Sequence, residues 1–285
     1  MSSAALSRWA GDALIPIDYC DPTEWVVEAA DSWLTTDGTA FALRLHRDRF
    51  FAAAAERGAG LEGFTDAALA SFWEASIAAI PAKGDWFPRV ELQSKNGAAS
   101  FLYRERTAPP LSSSVALATH RGPELRRVPT IKGPDLGAMM QVRRAAQERG
   151  ADDGVILTPD GFVVEGGTTS IVWWRGDILF GAPEGPGWEE FDRVDSVTAR
   201  SVFGLATALG VETHREPVTP AELDGTEVWA LNALHGIRIV TSWVDGADED
   251  GAGRGRLQLA ELPGRLALWR SRREALRKPV RAAAA

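Results

Sequence analysis

Lys132 stands in the stretch RVPTIKGPDLG, residues 127–137, between Pro129 and Pro134. A lysine ordinarily decorates a solvated helix face with its ammonium in water. Here Thr130 and Ile131 precede it and Gly133-Pro134 follows, a turn signal with no helix to decorate. An amine held among apolar residues and turns has its pKa lowered by desolvation, which favours the neutral nucleophile and Schiff-base chemistry. A charge in a surface loop explains the same residue. Glu165 is a second candidate, closing an apolar strand in DGFVVEGGTTSIVWW ahead of two glycines and three hydroxyl residues. Glycines there let backbone approach a ligand closely, although an edge-strand glutamate ending a hairpin has the same pattern. In DSVTARS, helix-start amides with the Thr198 hydroxyl make an anion site, and ordinary capping accounts for them equally. Arg49 in LHRDRF, at a helix start, can pair bidentately with phosphate or sit in solvent. Arg104 and Arg106 in YRERTAPP alternate with Tyr103 and Glu105, so both point to one side of a strand. That side faces either a substrate carboxylate or water.

Other chemistries are set aside. The four histidines, at 46, 120, 214 and 235, show no metal-ligand spacing, and the single cysteine, Cys20, excludes an intrachain disulfide framework. There is no Walker A sequence and no G-x-S-x-G. GAGRGR at 251–256 neither follows a strand nor opens a helix, so it fails the context a dinucleotide loop requires. A net charge of −8, from 39 acidic and 31 basic residues, argues against nucleic acid or an anionic membrane as partner. The basic segment RLALWRSRREALRKPVR reads as an amphipathic helix end. No signal peptide and no stretch of membrane-span length is visible, so a soluble, cytoplasmic protein is expected.

The elements that must position these groups follow from periodicity and turn residues. EWVVEAADSWLTTDGTAFAL predicts two strands turning at Asp37-Gly38. LHRDRFFAAAAERG predicts a helix ending at Gly58, and TDAALASFWEASIAAI a second one capped by Thr65 or Asp66. WFPRVELQS and AASFLYRERTAPP predict a hairpin at Asn96-Gly97. Few helix signals lie between 115 and 128, which suggests a crossing between domains. DLGAMMQVRRAAQERG carries a helical stripe of Leu136, Met139, Met140, Val142 and Ala146. A strand meander then runs through GVILT, FVVEGG, TSIVWW and ILF. DSVTARSVFGLATALG predicts a helix with Asp195 or Ser196 near its start, and VETHREPV a strand. Thr219-Pro-Ala-Glu222 has capping-box spacing, EVWALNALHGIRIV predicts strand, turn and strand, and DGADEDGAGRGR a surface loop.

In order and spacing these pieces resemble the class IV aminotransferase family, the fold-type IV pyridoxal-phosphate enzymes. That family includes branched-chain and D-amino-acid aminotransferases and 4-amino-4-deoxychorismate lyase. HRDRF resembles the family's H-x-x-R, IKGPDL with GADDGVILTPDGFVVEGGTTSIVWW its central block, SVTARSVFGLATALGV its phosphate-cup helix, and EVWALNALHGIRIV its later block. The likeness runs from about residue 30 to 245. It implies an α+β (or α/β) fold of two domains. These are a smaller N-terminal domain over 1–118, a connection over 119–128, and a larger C-terminal domain with a pseudo-barrel of strands over 129–285, carrying the lysine. By the resemblance, Lys132 forms the Schiff base with pyridoxal 5'-phosphate and then shuttles the α-proton, and Glu165 faces the pyridine nitrogen. Arg49, Val197 and Thr198 hold the phosphate, and Asn232 and Ala233 form a turn beside phosphate and substrate. A homodimer and a small amino-acid-like substrate are implied as well. LNALHG, and Leu136-Gly137 where branched-chain enzymes favour Asn-Tyr, lean toward the lyase, which eliminates pyruvate to leave 4-aminobenzoate. Ser170 replaces an asparagine usual in the family, and EAADSWL departs from the lyase segment, leaving Ser32 as the hydroxyl that could assist proton transfer. An amino-acid transaminase, and a non-catalytic binding module on the same fold, are the alternatives.

Overall fold

The computed structural model describes residues 5–17, 25–244, 257 and 259–283; Cys20 and the loop expected at 245–256 lie outside them. Contacts divide the chain into two units. The first comprises Met1–Leu111, Ile131–Pro134 and Glu274–Ala285, and the second Ser112–Thr130 and Asp135–Arg273.

The first unit opens with β1 (Ala5–Trp9), β2 (Leu14–Pro16) and β3 (Val26–Ser32), followed by the short β4 (Thr35–Thr36) and β5 (Thr39–Ala40). Asp37 and Gly38 turn between the last two with φ of 45° and 69°, the positive pair that a two-residue hairpin turn needs. Two helices follow, α1 (Leu43–Gly58) and α2 (Asp66–Ala79), the second capped by the Thr65 side chain on the Ala68 amide. Next come β6 (Asp85–Trp86) and the hairpin of β7 (Arg89–Lys95) and β8 (Ala98–Glu105), turned at Asn96-Gly97 as its sequence predicts. The main sheet runs β2-β1-β8-β7-β3, antiparallel throughout.

Its register sorts the side chains. Asp31 pairs with Val90 and Val90 with Tyr103, whereas Ser32 pairs with Arg89 and Arg89 with Arg104. Val90 and Tyr103 pack with Phe50, Leu69, Phe72 and Trp73 of the two helices. Asp31 therefore points to the helical face, and Ser32, Arg89 and Arg104 to the other.

The second unit is built on β9 (Ser114–Thr119), α3 (Leu136–Glu148), β10 (Asp153–Leu157), β11 (Val163–Gly166), β12 (Ser170–Arg175), β13 (Ile178–Gly181), α4 (Val197–Ala208), β14 (Thr213–Arg215), β15 (Glu227–Asn232), β16 (Gly236–Val244) and α5 (Arg265–Glu274). Eight strands form one curled half-barrel sheet, ordered β11-β10-β9-β16-β15-β12-β13-β14. Both of its faces are apolar. Trp173, Val228, Ala230, Val240 and Trp243 fill one side. Trp174, Trp229, Leu231 and Ile239 pack on the other with Val202 and Ala206 of α4 and Leu266 and Trp269 of α5. Strands buried on both faces read as continuous apolar runs, which is why SIVWW and EVWAL show no alternation.

Several expectations change. Residues 114–119 are not a crossing but β9, which pairs in parallel with both β10 and β16; long-range parallel pairing leaves no local turn signal. The second unit starts at Ser112, while Ile131–Pro134, with Lys132, packs on the first unit because the Ala30 N–H donates to the Lys132 carbonyl at 2.7 Å. The chain end also returns to the first unit, where β17 (Lys278–Pro279) pairs with β5 and Val280 at the start of α6 (Val280–Ala283) enters the core. On α3 only Val142 and Ala146 of the expected stripe are fully buried, and Met140 is 41% exposed. The Thr219–Glu222 capping box forms, on a 3-10 turn.

Candidate active site

Lys132 is held by its neighbours' backbone. Beside the Ala30–Lys132 hydrogen bond, Gly133 takes φ 147°, and a Cβ there would lie 2.8 Å from Ala29 Cα. Only glycine fits against β3 at that point. Asp135 accepts the Arg127 and Val128 amides at 2.9 and 2.8 Å, tying together the two ends of the segment that carries the lysine.

Arg49 lies in the second turn of α1, and Asp31 meets it from β3. Nε donates to Asp31 Oδ2 and Nη2 to Oδ1, both at 2.8 Å. The same Oδ1 accepts from the Ser32 amide at 2.6 Å and lies 2.8 Å from His46 Nδ1. Burial alone would raise the Asp31 pKa; the Arg49 guanidinium and His46 outweigh it and hold the carboxylate well below its usual range. An ionised carboxylate only accepts, so His46 carries its proton on Nδ1. Burial, and then the positive charges of Arg49 and Lys132, lower the His46 pKa against the pull of Asp31, so the ring is neutral.

The opposite sheet face holds Ser32, Arg89, Glu91, Arg104 and Arg106. Glu91 is fully buried, ion-paired to Arg89 and to Arg104, the latter at 2.7 Å. Arg106 donates to the Phe87 carbonyl at 3.0 Å and to Ser32 Oγ at 3.1 Å, and has no carboxylate partner among the described residues. Burial and the neighbouring Arg89 charge lower its pKa to about 10, so it stays cationic at neutral pH. Arg104 and Arg106 thus do share one side, and that side is half-buried.

In the second unit, Glu165 on β11 is 7% exposed and accepts from Arg126 Nη1 at 2.9 Å. Arg126 also grips Glu124 at 2.7 Å and the Asp192 carbonyl at 2.8 Å. Burial works to lower the Arg126 pKa, and its two carboxylates more than restore it. The glycines after Glu165 answer to packing. A Cβ on Gly166 would collide with Thr169 Oγ1, and one on Gly167 would stand 2.9 Å from the Met139 carbonyl.

At the start of α4, Ser196 Oγ accepts the Ala199 amide at 3.2 Å. That cap leaves the amides of Val197 and Thr198 without a hydrogen-bond partner among the described residues, and both residues are 2% exposed. Unpaired N–H groups at a helix start have the polarity that suits an anion. A cavity of about 410 Å³ opens beside this turn, with Arg193, Arg200 and Arg215 on its wall, but Glu184 and Asp195 pair with those arginines. Asn232 ends β15, and its Oδ1 accepts the Leu234 and His235 amides at 3.2 and 2.8 Å, leaving the Ala233 N–H outside that turn. His235 Nδ1 accepts from the Ser112 amide, and burial with nearby Arg238 pushes its pKa down to about 4.

Sequence reading missed Asp31, Arg126 and Glu91, each the charged partner of a residue it had singled out. His46, the histidine of the H-x-x-R segment, sits three residues before Arg49 on the same helix face, which is how it reaches the carboxylate that Arg49 pairs with. Among the described residues there is no group of three or more His, Cys, Asp or Glu placed to hold a metal, and no helix is long and apolar enough to cross a membrane.

A family model described as amino-transferase class IV matches residues 28–243. Among solved structures, a fold IV-transaminase from Curtobacterium pusillum aligns with a TM-score of 0.70 at 19% identity, over 96% of this chain and 97% of that one. A branched-chain aminotransferase from Thermoproteus uzoniensis with norvaline aligns at 0.72 and 19%, over 98% and 100%. The PLP-bound form of a hypothetical aminotransferase from Mycobacterium tuberculosis aligns at 0.66 and 17%, over 96% and 98%. At these identities the likeness is one of fold. No curated protein sequence matches the chain.

Proposed function

Because the chain belongs to the class IV aminotransferase family and is a pyridoxal-phosphate-dependent enzyme, we propose that it acts on an amino-acid-like acid, with transamination as its first outcome. The residues present fit the cofactor: an amine on a rigid segment, a buried carboxylate paired to an arginine, and unpaired helix-start amides. Bound pyridoxal phosphate supplies an electron sink for charge developing at the substrate Cα. Lys132 holds the cofactor and, once released, moves the Cα proton. Glu165 keeps its charge toward the ring nitrogen. Arg49 and the amides of Val197 and Thr198 take the phosphate, with Thr198 adding a hydroxyl. Asn232 and Ala233 shape the turn beside phosphate and substrate. Arg106, backed by Arg104, receives a substrate carboxylate.

The solved transaminases that share this fold support the choice of outcome. Transamination needs one acid-base group that takes a proton from Cα and can deliver it on the far side of the amino nitrogen, a role Lys132 would fill. Elimination adds a leaving group that departs better when protonated. Ser32, the hydroxyl expected to help, is 5% exposed, accepts from Arg106, and points to the sheet face opposite Asp31. Ser32 therefore lies with Arg106, which receives the substrate carboxylate, and serves either outcome. The lyase remains the second reading on LNALHG, whose Asn232 folds its own turn, and on Leu136-Gly137 at the start of α3.

Purified protein incubated with pyridoxal phosphate should show a visible band that Lys132→Ala abolishes and borohydride fixes. A paired assay then separates the outcomes. Amino acid plus 2-oxo acid should exchange their amino group; pyruvate and 4-aminobenzoate from aminodeoxychorismate, without that exchange, would overturn transamination. We propose a homodimer as well, and elution as a fully active monomer would refute it.

A further inference from the structure

We propose that Asp31 is a positioning residue for the cofactor phosphate: it clamps the Arg49 guanidinium side-on, so that Arg49 meets the phosphate in one fixed orientation. The inference rests on Arg49 as a phosphate ligand, and it assigns a role to a residue that the site's chemistry has not used.

The geometry is specific. Asp31 is 0% exposed, and each of its oxygens is engaged. Oδ2 takes Arg49 Nε, while Oδ1 takes Arg49 Nη2, the Ser32 amide and the His46 ring. A carboxylate held at four points cannot rotate, so the guanidinium plane it pairs with cannot either. Pairing through Nε and Nη2 fixes the plane in which the guanidinium lies, and with it the directions of its N–H groups. Sequence and fold cooperate in this. His46 and Arg49 sit three residues apart on one face of α1, and the alternation of β3 turns Asp31 toward that face and Ser32 away from it.

The clamp also changes how the phosphate is held. An isolated arginine would attract phosphate by net charge and lose side-chain entropy on becoming ordered. The Asp31–Arg49 pair has no net charge, and its order is established beforehand, so what it offers an anion is directed hydrogen bonds. Asp31 thereby weakens long-range attraction and secures orientation.

The test compares two aldehydes that differ only in the phosphate. Cofactor-free protein is titrated with pyridoxal phosphate and with unphosphorylated pyridoxal, following the visible band. Asp31→Asn should weaken pyridoxal phosphate about tenfold or more and leave pyridoxal within about twofold, since only the phosphate feels a misaimed fork. In an Arg49→Lys background, which has no fork to aim, Asp31→Asn should add nothing further. Unchanged or tighter pyridoxal phosphate binding, or an equal loss for both aldehydes, would overturn the proposal. Should Asp31→Asn not fold, Asp31→Glu, which keeps the charge but displaces it by a methylene, should show the same phosphate-selective loss. If wild-type protein gives no Lys132-dependent band, the cofactor assignment fails and the inference with it. If that band is present and the variants do not discriminate the aldehydes, the inference alone fails.

Discussion

Arg126 Nη1 donates to Glu165 Oε1 at 2.9 Å, and the two side chains are only 6% and 10% exposed. A carboxylate this buried stays ionised only beside a fixed positive charge. Arg126 is fixed by Glu124 and the Asp192 carbonyl, so it directs the Glu165 oxygen that it holds. Arg126→Gln should lower kcat about tenfold or more by loosening the charge that faces the cofactor ring. It should also destabilise the cofactor-free protein by about 1–3 kcal/mol, the usual cost of removing a charge-assisted hydrogen bond from a buried group. Steady-state kinetics and urea unfolding read the two effects separately. Unaltered kcat with the full stability loss would make Arg126 a purely structural residue.

Gly133 supplies a sharper test of how Lys132 is placed. Its φ of 147° and its 2.8 Å approach to Ala29 exclude a side chain. Gly133→Ala should cost about 1–3 kcal/mol from the backbone alone, with the clash against β3 added. The Ala30–Lys132 hydrogen bond would be lost with the close approach. The visible band should become weak or shifted in a variant that retains its circular dichroism. A band of normal intensity and position would mean that the glycine does not position the lysine.

Lys132, Arg49, Glu165 and Thr198 stand out in the sequence as candidates through their order and spacing along the chain and their likeness to the family's motifs. Hairpins at Asp37-Gly38 and Asn96-Gly97, and the cap at Thr65, were legible because turn and capping residues are local signals. What escaped was pairing across the fold. Asp31 lies 18 residues from Arg49, and Arg126 lies 39 from Glu165. Nothing in EAADSWL or ELRRVP marks either as a partner: the register of β3 turns Asp31 inward, and Arg126 comes from a segment between β9 and α3 that forms no strand. The misread strand β9 belongs with these, since its two parallel neighbours are distant in sequence. The glycines after Glu165 were legible as special, and a Cβ at either would meet Thr169 or Met139.

Acidification should destabilise the protein in two stages. His46 has its pKa lowered from 6.5 by burial and is neutral when folded, so below that pH the unfolded chain binds more protons and unfolding is favoured. His235, lowered to about 4, acts in the same direction but is only half-buried and contributes less. The Asp31 carboxylate has a depressed folded pKa. Its contribution is intact above the ordinary carboxylate value of 3.8 and is lost as pH falls below that toward its lowered value. Melting temperature should therefore decline from about pH 6.5 downward and fall more steeply below about pH 4. His46→Gln should flatten the first stage, and Asp31→Asn the second. A first stage that His46→Gln leaves unchanged would place that titration elsewhere.

Arg106 has no carboxylate partner among the described residues, whereas Glu91 serves both Arg89 and Arg104. Three arginines against one glutamate leave a surplus of positive charge on a half-buried sheet face, where an acid is attracted more strongly than in open water. Arg106 is the member least committed to another charge, so it should do most of the recognition. Arg106→Met should raise KM for an amino acid by about 10- to 100-fold, the scale of one charge-assisted contact, with kcat changed far less. An amine that lacks the carboxylate serves as control, and its KM should not move. Glu91→Gln, which removes the counter-charge that Arg89 and Arg104 share, should lower KM for acids while reducing stability. Equal KM losses for acid and amine in Arg106→Met would show a collapsed pocket and not a lost contact, and would remove Arg106 from substrate recognition.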